Sequence, residues 1–171
     1  MMLRRMIVVK ERKQLSVWGV GPVYALISAA LTAGGIIARN LGWLDSGAVP
    51  AWDVPMTLAG FVLLIAAVGL YLWAHVRMRL FDHVRRNELV TTGPYAWVRN
   101  PVYSAILLLC TGLLLMAYNL WLLLLPPVLW ALMTAMLIPT EEKWLRELHG
   151  QAYADYCERV NRCIPWPPRR R

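Results

Sequence analysis

Residues 100–140 read NPVYSAILLLCTGLLLMAYNLWLLLLPPVLWALMTAMLIPT, 41 residues without an Asp, Glu, Lys or Arg. A membrane-crossing helix needs about 20 apolar residues, because 1.5 Å of rise per residue must cover roughly 30 Å of hydrocarbon. The stretch is about twice that length, and its midpoint lies at Leu120, beside the polar pair Tyr118-Asn119. It reads as a helical hairpin, Pro101–Ala117 outward and Leu120–Pro139 back. Working outward, charge is also absent from Gln14 to Ala38 and from Val54 to Val76. These gaps predict crossings near Trp18–Ala38 and Val54–His75. The expected fold is all-α: a polytopic membrane protein of about four transmembrane helices, the last two a hairpin.

Composition agrees. Of 171 residues, 58% are hydrophobic and only 16% charged, yet the net charge is +8; mean hydropathy is +0.46. An average soluble domain has about 25% charged residues. An apolar but basic chain fits neither a soluble globule, a disordered tail nor a nucleic-acid binder. Its Lys and Arg residues follow the predicted loops. Seventeen of the 18 fall in the N-terminus, the 76–100 loop and the C-terminus, and only Arg39 falls on the opposite side. The positive-inside rule then predicts both termini in the cytoplasm, and an inner-membrane location if the source is bacterial. Trp18, Trp43, Trp52, Trp73, Trp121 and Trp144 sit near predicted interfaces, as an aromatic belt requires. The first apolar run is too long for a signal peptide and more spans follow, so it reads as a retained helix. The chain is expected to be a single membrane domain over 1–171. An N-terminal segment with two spans fills 1–80, and the hairpin and tail fill 81–171. Cys110 falls inside a span, and Cys157 and Cys163 fall in the cytoplasm, where a disulfide is not expected. No Cys or His spacing suggests a metal site. The tail from Trp144 to Val160 carries a broken apolar stripe interrupted at Gly150, the pattern of an amphipathic helix on the membrane surface.

No predicted span carries an acidic or basic side chain at its middle, which argues against a proton-coupled exporter. Chemistry is expected at the cytoplasmic ends. Leu89-Val90-Thr91-Thr92-Gly93-Pro94-Tyr95 reads as a turn. In Arg99-Asn100-Pro101-Val102-Tyr103, Asn100 suits an N-cap and Pro101 a first helical turn. In Pro139-Thr140-Glu141-Glu142, Thr140 suits a cap and the two acids suit a helix start. Each segment has this plain structural reading. A hairpin returns to the side it left, however, so Arg99–Tyr103 and Glu141–Glu142 should be neighbours. Paired carboxylates there would seat an ammonium group, and Arg99 a carboxylate.

The order of these segments resembles the isoprenylcysteine carboxyl methyltransferase and phospholipid methyltransferase superfamily of membrane enzymes. That family carries an LV..GPY-type turn, an R-H-P-x-Y motif, a hairpin of about forty residues, a Glu-Glu pair, a G-x-x-Y-x-x-Y tail and an Ile-Pro-like end. The corresponding residues are Leu89-Val90, Gly93-Pro94-Tyr95, Arg99 to Tyr103, Glu141-Glu142, Gly150 to Tyr156 and Ile164-Pro165. The match covers residues 87–166. The resemblance implies S-adenosylmethionine as methyl donor. Leu89 and Val90 would line the adenine pocket. Gly93, Tyr95, Asn100, Pro101 and Tyr103 would shape the nucleoside and methionine sites. Glu141 or Glu142 would take the amino group. Gly19-Val20-Gly21 opens a span and follows no strand, so it is not a nucleotide-binding loop.

The family histidine is Asn100 here, which hydrogen-bonds but does not titrate near neutral pH. That favours an acceptor already anionic. Arg99 and Glu142 are the expected catalytic residues: Arg99 neutralises a carboxylate acceptor, and a glutamate serves as base if the acceptor is an amine. The expected activity is carboxyl O-methylation of a lipid-modified or amphiphilic acceptor, with membrane lipids as surroundings and neither metal nor nucleic acid as partner. The alternatives are a phospholipid or amine N-methyltransferase, an NADPH-dependent reductase of the sterol-reductase type, and a non-enzymatic membrane protein.

Overall fold

The computed structural model describes residues 19–77 and 88–167, and the regular structure among them is helical. The basic segment 1–18, Arg79, Arg85, Arg86 and Arg169–Arg171 lie outside the described residues. Helix α1 spans Gly21–Asn40 and α2 spans Asp53–Leu72, extended by a π turn over Trp73–Arg77. Helix α3 spans Pro101–Leu115 and α4 spans Leu125–Leu137. Helices α5 (Lys143–His149) and α6 (Gln151–Arg159) follow.

Among the described residues three helical stretches are long and apolar enough to cross a membrane: Gly21–Asn40, Pro50–His75 and Trp121–His149. The expected fourth, α3, has 15 residues, about 22 Å at the α-helical rise. It is also the enclosed helix, packing on α1, α2 and α4. Its ends rest on protein, so it need not reach both interfaces itself. The closest packing is against α2. A Cβ added to Gly60 would lie 2.7 Å from the Gly112 carbonyl oxygen, and one added to Gly112 would lie 2.8 Å from that of Gly60. Only glycine on both helices allows this backbone approach. The outward faces of α1 and α2 expose Leu26, Leu31, Leu58, Val62 and Ile65, the surface a helix presents to lipid.

The hairpin turns where expected and is clamped to the α1–α2 loop. The backbone amides of Val49 and Leu120 donate to the carbonyls of Tyr118 and Gly47, at 3.0 and 2.8 Å. Asn119 is fully buried; its Nδ2 donates to the Leu44 carbonyl at 2.7 Å and its Oδ1 accepts from the Trp121 amide.

Three local expectations change. Thr140 caps no new helix: its hydroxyl donates to the Met136 carbonyl, and the chain stays helical to His149 through a π turn over Ile138–Glu142. The wider turn accommodates Pro139, whose ring and missing N–H would break a regular α-turn. The surface helix is therefore α6 alone, which begins after Gly150 and buries Tyr153 and Tyr156. Asn100 precedes α3 but makes no side-chain cap bond; its amide serves the tail.

Candidate functional site

The site lies at the end of the bundle where α1 and α3 begin and α4 ends. A 3-10 turn over Gly93–Ala96 leads in, with Pro94 buried. The Tyr156 hydroxyl of α6 donates to the Tyr95 carbonyl at 2.6 Å, fixing the turn to the tail. Leu89 packs on the buried cluster of Tyr153, Tyr156 and Val160, and Val90 is half-buried. Burial pushes the phenols of Tyr95, Tyr153 and Tyr156 above the usual tyrosine range, so they act as neutral groups.

The chain end then crosses under α3. The Arg99 amide donates to Asn161 O at 2.8 Å, and the Asn100 amide and Nδ2 both donate to Arg162 O at 3.2 Å. The Ser104 hydroxyl donates to Cys163 O at 2.6 Å, and the Trp166 amide to Trp97 O at 3.2 Å. This strap brings Arg162 to Glu142. Arg162 Nε and Nη2 lie 2.7 and 3.1 Å from the two Glu142 oxygens, a bidentate pair. Glu142 is buried, and its Oε1 is also 3.6 Å from Arg99 Nη2. Its hydrogen bonds hold the Arg162 guanidinium above the usual arginine range. Arg99 Nη1 donates to Cys157 Sγ of α6. Arg99 Nε is buried without a hydrogen-bond partner.

Glu141 faces the other way. Its Oε1 accepts from the Tyr103 hydroxyl and, at 3.1 Å, from the Val20 amide at the start of α1. The Tyr103 ring leans on Tyr24, centroids 5.7 Å apart. The expected residues thus form three groups. Arg99 and Glu142 meet directly, and Tyr103 and Glu141 meet directly. Leu89 and Tyr95 reach the site through α6, Gly93 opens the turn that carries Tyr95, Asn100 is tied to the strap and Pro101 begins α3. The two carboxylates are adjacent in sequence but do not share one seat. Arg162, Cys157 and Val20 were missed. Arg162 read as one more cation of a topological tail; its place two residues before Ile164-Pro165 was the available signal. Among the described residues no group of three or more His, Cys, Asp or Glu converges as a metal site would need.

The family model described as phospholipid methyltransferase matches residues 55–152, from the start of α2 to the start of α6. The chain belongs to the phospholipid methyltransferase family. The resemblance read from the Arg99–Tyr103 and Glu141-Glu142 segments therefore holds. Among curated proteins the chain is similar to a "probable protein-S-isoprenylcysteine O-methyltransferase" of Oryza sativa subsp. indica. Identity is 34% over 102 residues, covering 52% of this chain and 49% of the relative. It is likewise similar to "protein-S-isoprenylcysteine O-methyltransferase B" of Arabidopsis thaliana, at 35% over 95 residues, covering 52% and 48%. The chain thus spans about half the length of the curated relatives it matches. No solved structure matches it.

Proposed function

We propose that this chain transfers a methyl group from S-adenosylmethionine to an acceptor at the cytoplasmic face of the membrane. The acceptor in this reading is a carboxylate on a lipid-modified or amphiphilic molecule. The observation that carries it is the buried, unpartnered Arg99 Nε within the stretch that the phospholipid methyltransferase family model matches. A buried donor without a partner costs stability, and a ligand carboxylate would satisfy it.

The residues fit the donor. Glu141, already gathered by two neutral donors, would take its ammonium, and Arg99 its carboxylate or that of the acceptor. Leu89, Val90 and Gly93 would form the adenine wall, with Tyr95, Asn100, Pro101 and Tyr103 shaping the floor. When bound, the sulfonium supplies the electrophilic methyl carbon. The protein's task is to hold the acceptor in line with that carbon and keep water out. A carboxylate acceptor is already nucleophilic, so no proton need be removed. Arg99 would orient it and balance part of its charge. Glu142, paired with Arg162 and Arg99, would fix where the Arg99 guanidinium points. The basic distribution of Lys and Arg supports the cytoplasmic placement of this face. The outward apolar faces of α1 and α2 would leave a lipidic acceptor its tail in hydrocarbon while its head meets the site.

Calorimetric titration of the detergent-purified full chain with S-adenosylmethionine tests the donor. A folded protein that takes up none refutes the reading. Labelled methyl product then separates acceptors: an ester releases methanol in alkali, whereas an N-methyl phospholipid does not. The second acceptor stays in play because the family model is described as phospholipid methyltransferase.

A further inference from the structure

The family match begins at residue 55, so α1 lies outside it. Yet the first turn of α1 touches the site. The Val20 amide, one of the donors a helix start leaves unpaired, bonds Glu141 Oε1 at 3.1 Å. Gly19 sits against the same carboxylate. A Cβ added there would overlap Glu141 Oε1 and lie 2.9 Å from its Cδ. The neighbouring glycine differs: a Cβ on Gly21 would meet the Tyr103 hydroxyl at an ordinary 3.5 Å. The Val20 side chain packs on the cluster of Tyr24, Tyr103, Met133, Leu137 and Cys163, which fixes the height of the turn. Gly19 itself has φ +50°.

We propose that Gly19-Val20 is a positioning element of the site: Gly19 leaves the space that Glu141 occupies, and the Val20 amide selects its orientation. The Gly19-Val20-Gly21 stretch thereby has a role beyond opening a helix. The carboxylate is held between a donor on α1 and a hydroxyl on α3, so the ammonium site needs three helices: α1, α3 and the α4–α5 run. The inference rests on the reading of Glu141 as the seat of the donor's ammonium group, and it identifies what holds that seat in place.

The test is a set of variants of the full chain, read by S-adenosylmethionine titration and by thermal unfolding. Gly19→Ala is expected to displace Glu141 and weaken binding about tenfold or more, the scale of a charge-assisted hydrogen bond. Gly19→Asn separates two causes, because Asn tolerates a left-handed φ but still carries a Cβ. It is expected to bind as poorly as Gly19→Ala. The double variant Gly19→Ala/Glu141→Asp draws the carboxylate back by one methylene and is expected to bind better than Gly19→Ala. If Gly19→Ala fails to fold, the double variant is expected to fold.

Wild-type binding in Gly19→Ala or in Gly19→Asn overturns the proposal. So does a double variant no better than Gly19→Ala, or equally unable to fold. The unfolding temperatures keep the two readings apart. Non-additive shifts at positions 19 and 141 report the contact whether or not the ligand binds. Non-additivity without any uptake by wild type refutes the methyl-donor reading and, with it, the positioning role.

Discussion

Replacing Arg162 by alanine removes both hydrogen bonds from the guanidinium to Glu142 and leaves a buried carboxylate. Breaking a buried pair from one side costs about 3–5 kcal/mol. Two features lower that figure here. The Arg162 side chain is 28% exposed, so water already screens part of the pair. Arg99 also stays 3.6 Å from the same carboxylate and retains some of the attraction. The expected loss is about 2 kcal/mol. At about 2–4 °C per kcal/mol for a chain of this size, the unfolding temperature should fall by about 4–8 °C. Differential scanning fluorimetry on the detergent-purified protein reads it. Arg159→Ala is the control, since Arg159 Nε donates to a backbone carbonyl on the exposed side of α6, and its shift should stay within about 1 °C. Arg162→Ala/Glu142→Gln closes the cycle and should show coupling above about 1 kcal/mol. An Arg162→Ala protein that melts with Arg159→Ala, or single effects that simply add, refutes the pairing as a source of stability.

Gly112→Val places a side chain against the Gly60 carbonyl and should abolish a folded monomer or cost at least about 3 kcal/mol; Gly69→Ala, where a Cβ meets nothing within 4 Å, should be near neutral, and size-exclusion chromatography with thermal unfolding compares them. Asn119→Ala removes a buried amide that serves Leu44 and Trp121 and should cost about 1–3 kcal/mol; S-adenosylmethionine affinity, read by titration at the opposite end of the bundle, should not change. Burial pushes the Cys163 thiol up to about 11. Maleimide at neutral pH should therefore label the half-buried Cys157 well before Cys163. The folded state keeps the Cys163 proton longer than the unfolded chain, so stability should fall as pH rises from the ordinary thiol value towards 11; chemical denaturation across that window checks the sign.

The hairpin was legible because charge is excluded from hydrocarbon whatever the neighbours are, and its turn at Tyr118-Asn119 follows from length alone. The meeting of Arg99 with Glu142 was legible for the same reason, since two ends of a hairpin share a side. Partner choice was not. Residues 141 and 142 look equivalent in sequence, and the π turn carries them to different walls, one facing α1 and the other the strap. The Thr140 reading failed because a hydroxyl that can cap a helix can equally bond the carbonyl four residues back within one. The Gly60–Gly112 contact joins positions 52 residues apart, and nothing local marks them as partners. Arg162 was hidden by company: in a tail of cations, composition does not show which one is buried.

The strap has a consequence for how the protein is made. Among the described residues, 161–166 are the last contributors to the site to leave the ribosome, and they hold Arg99 and Asn100 by backbone bonds. A nascent chain halted after α5 already contains the three long apolar helices of the described residues, yet it lacks the Arg162 guanidinium that pairs with both oxygens of Glu142. Insertion and assembly of the site are thus separate events in synthesis, and a stop codon near position 160 should yield a protein that reaches the membrane without a completed site.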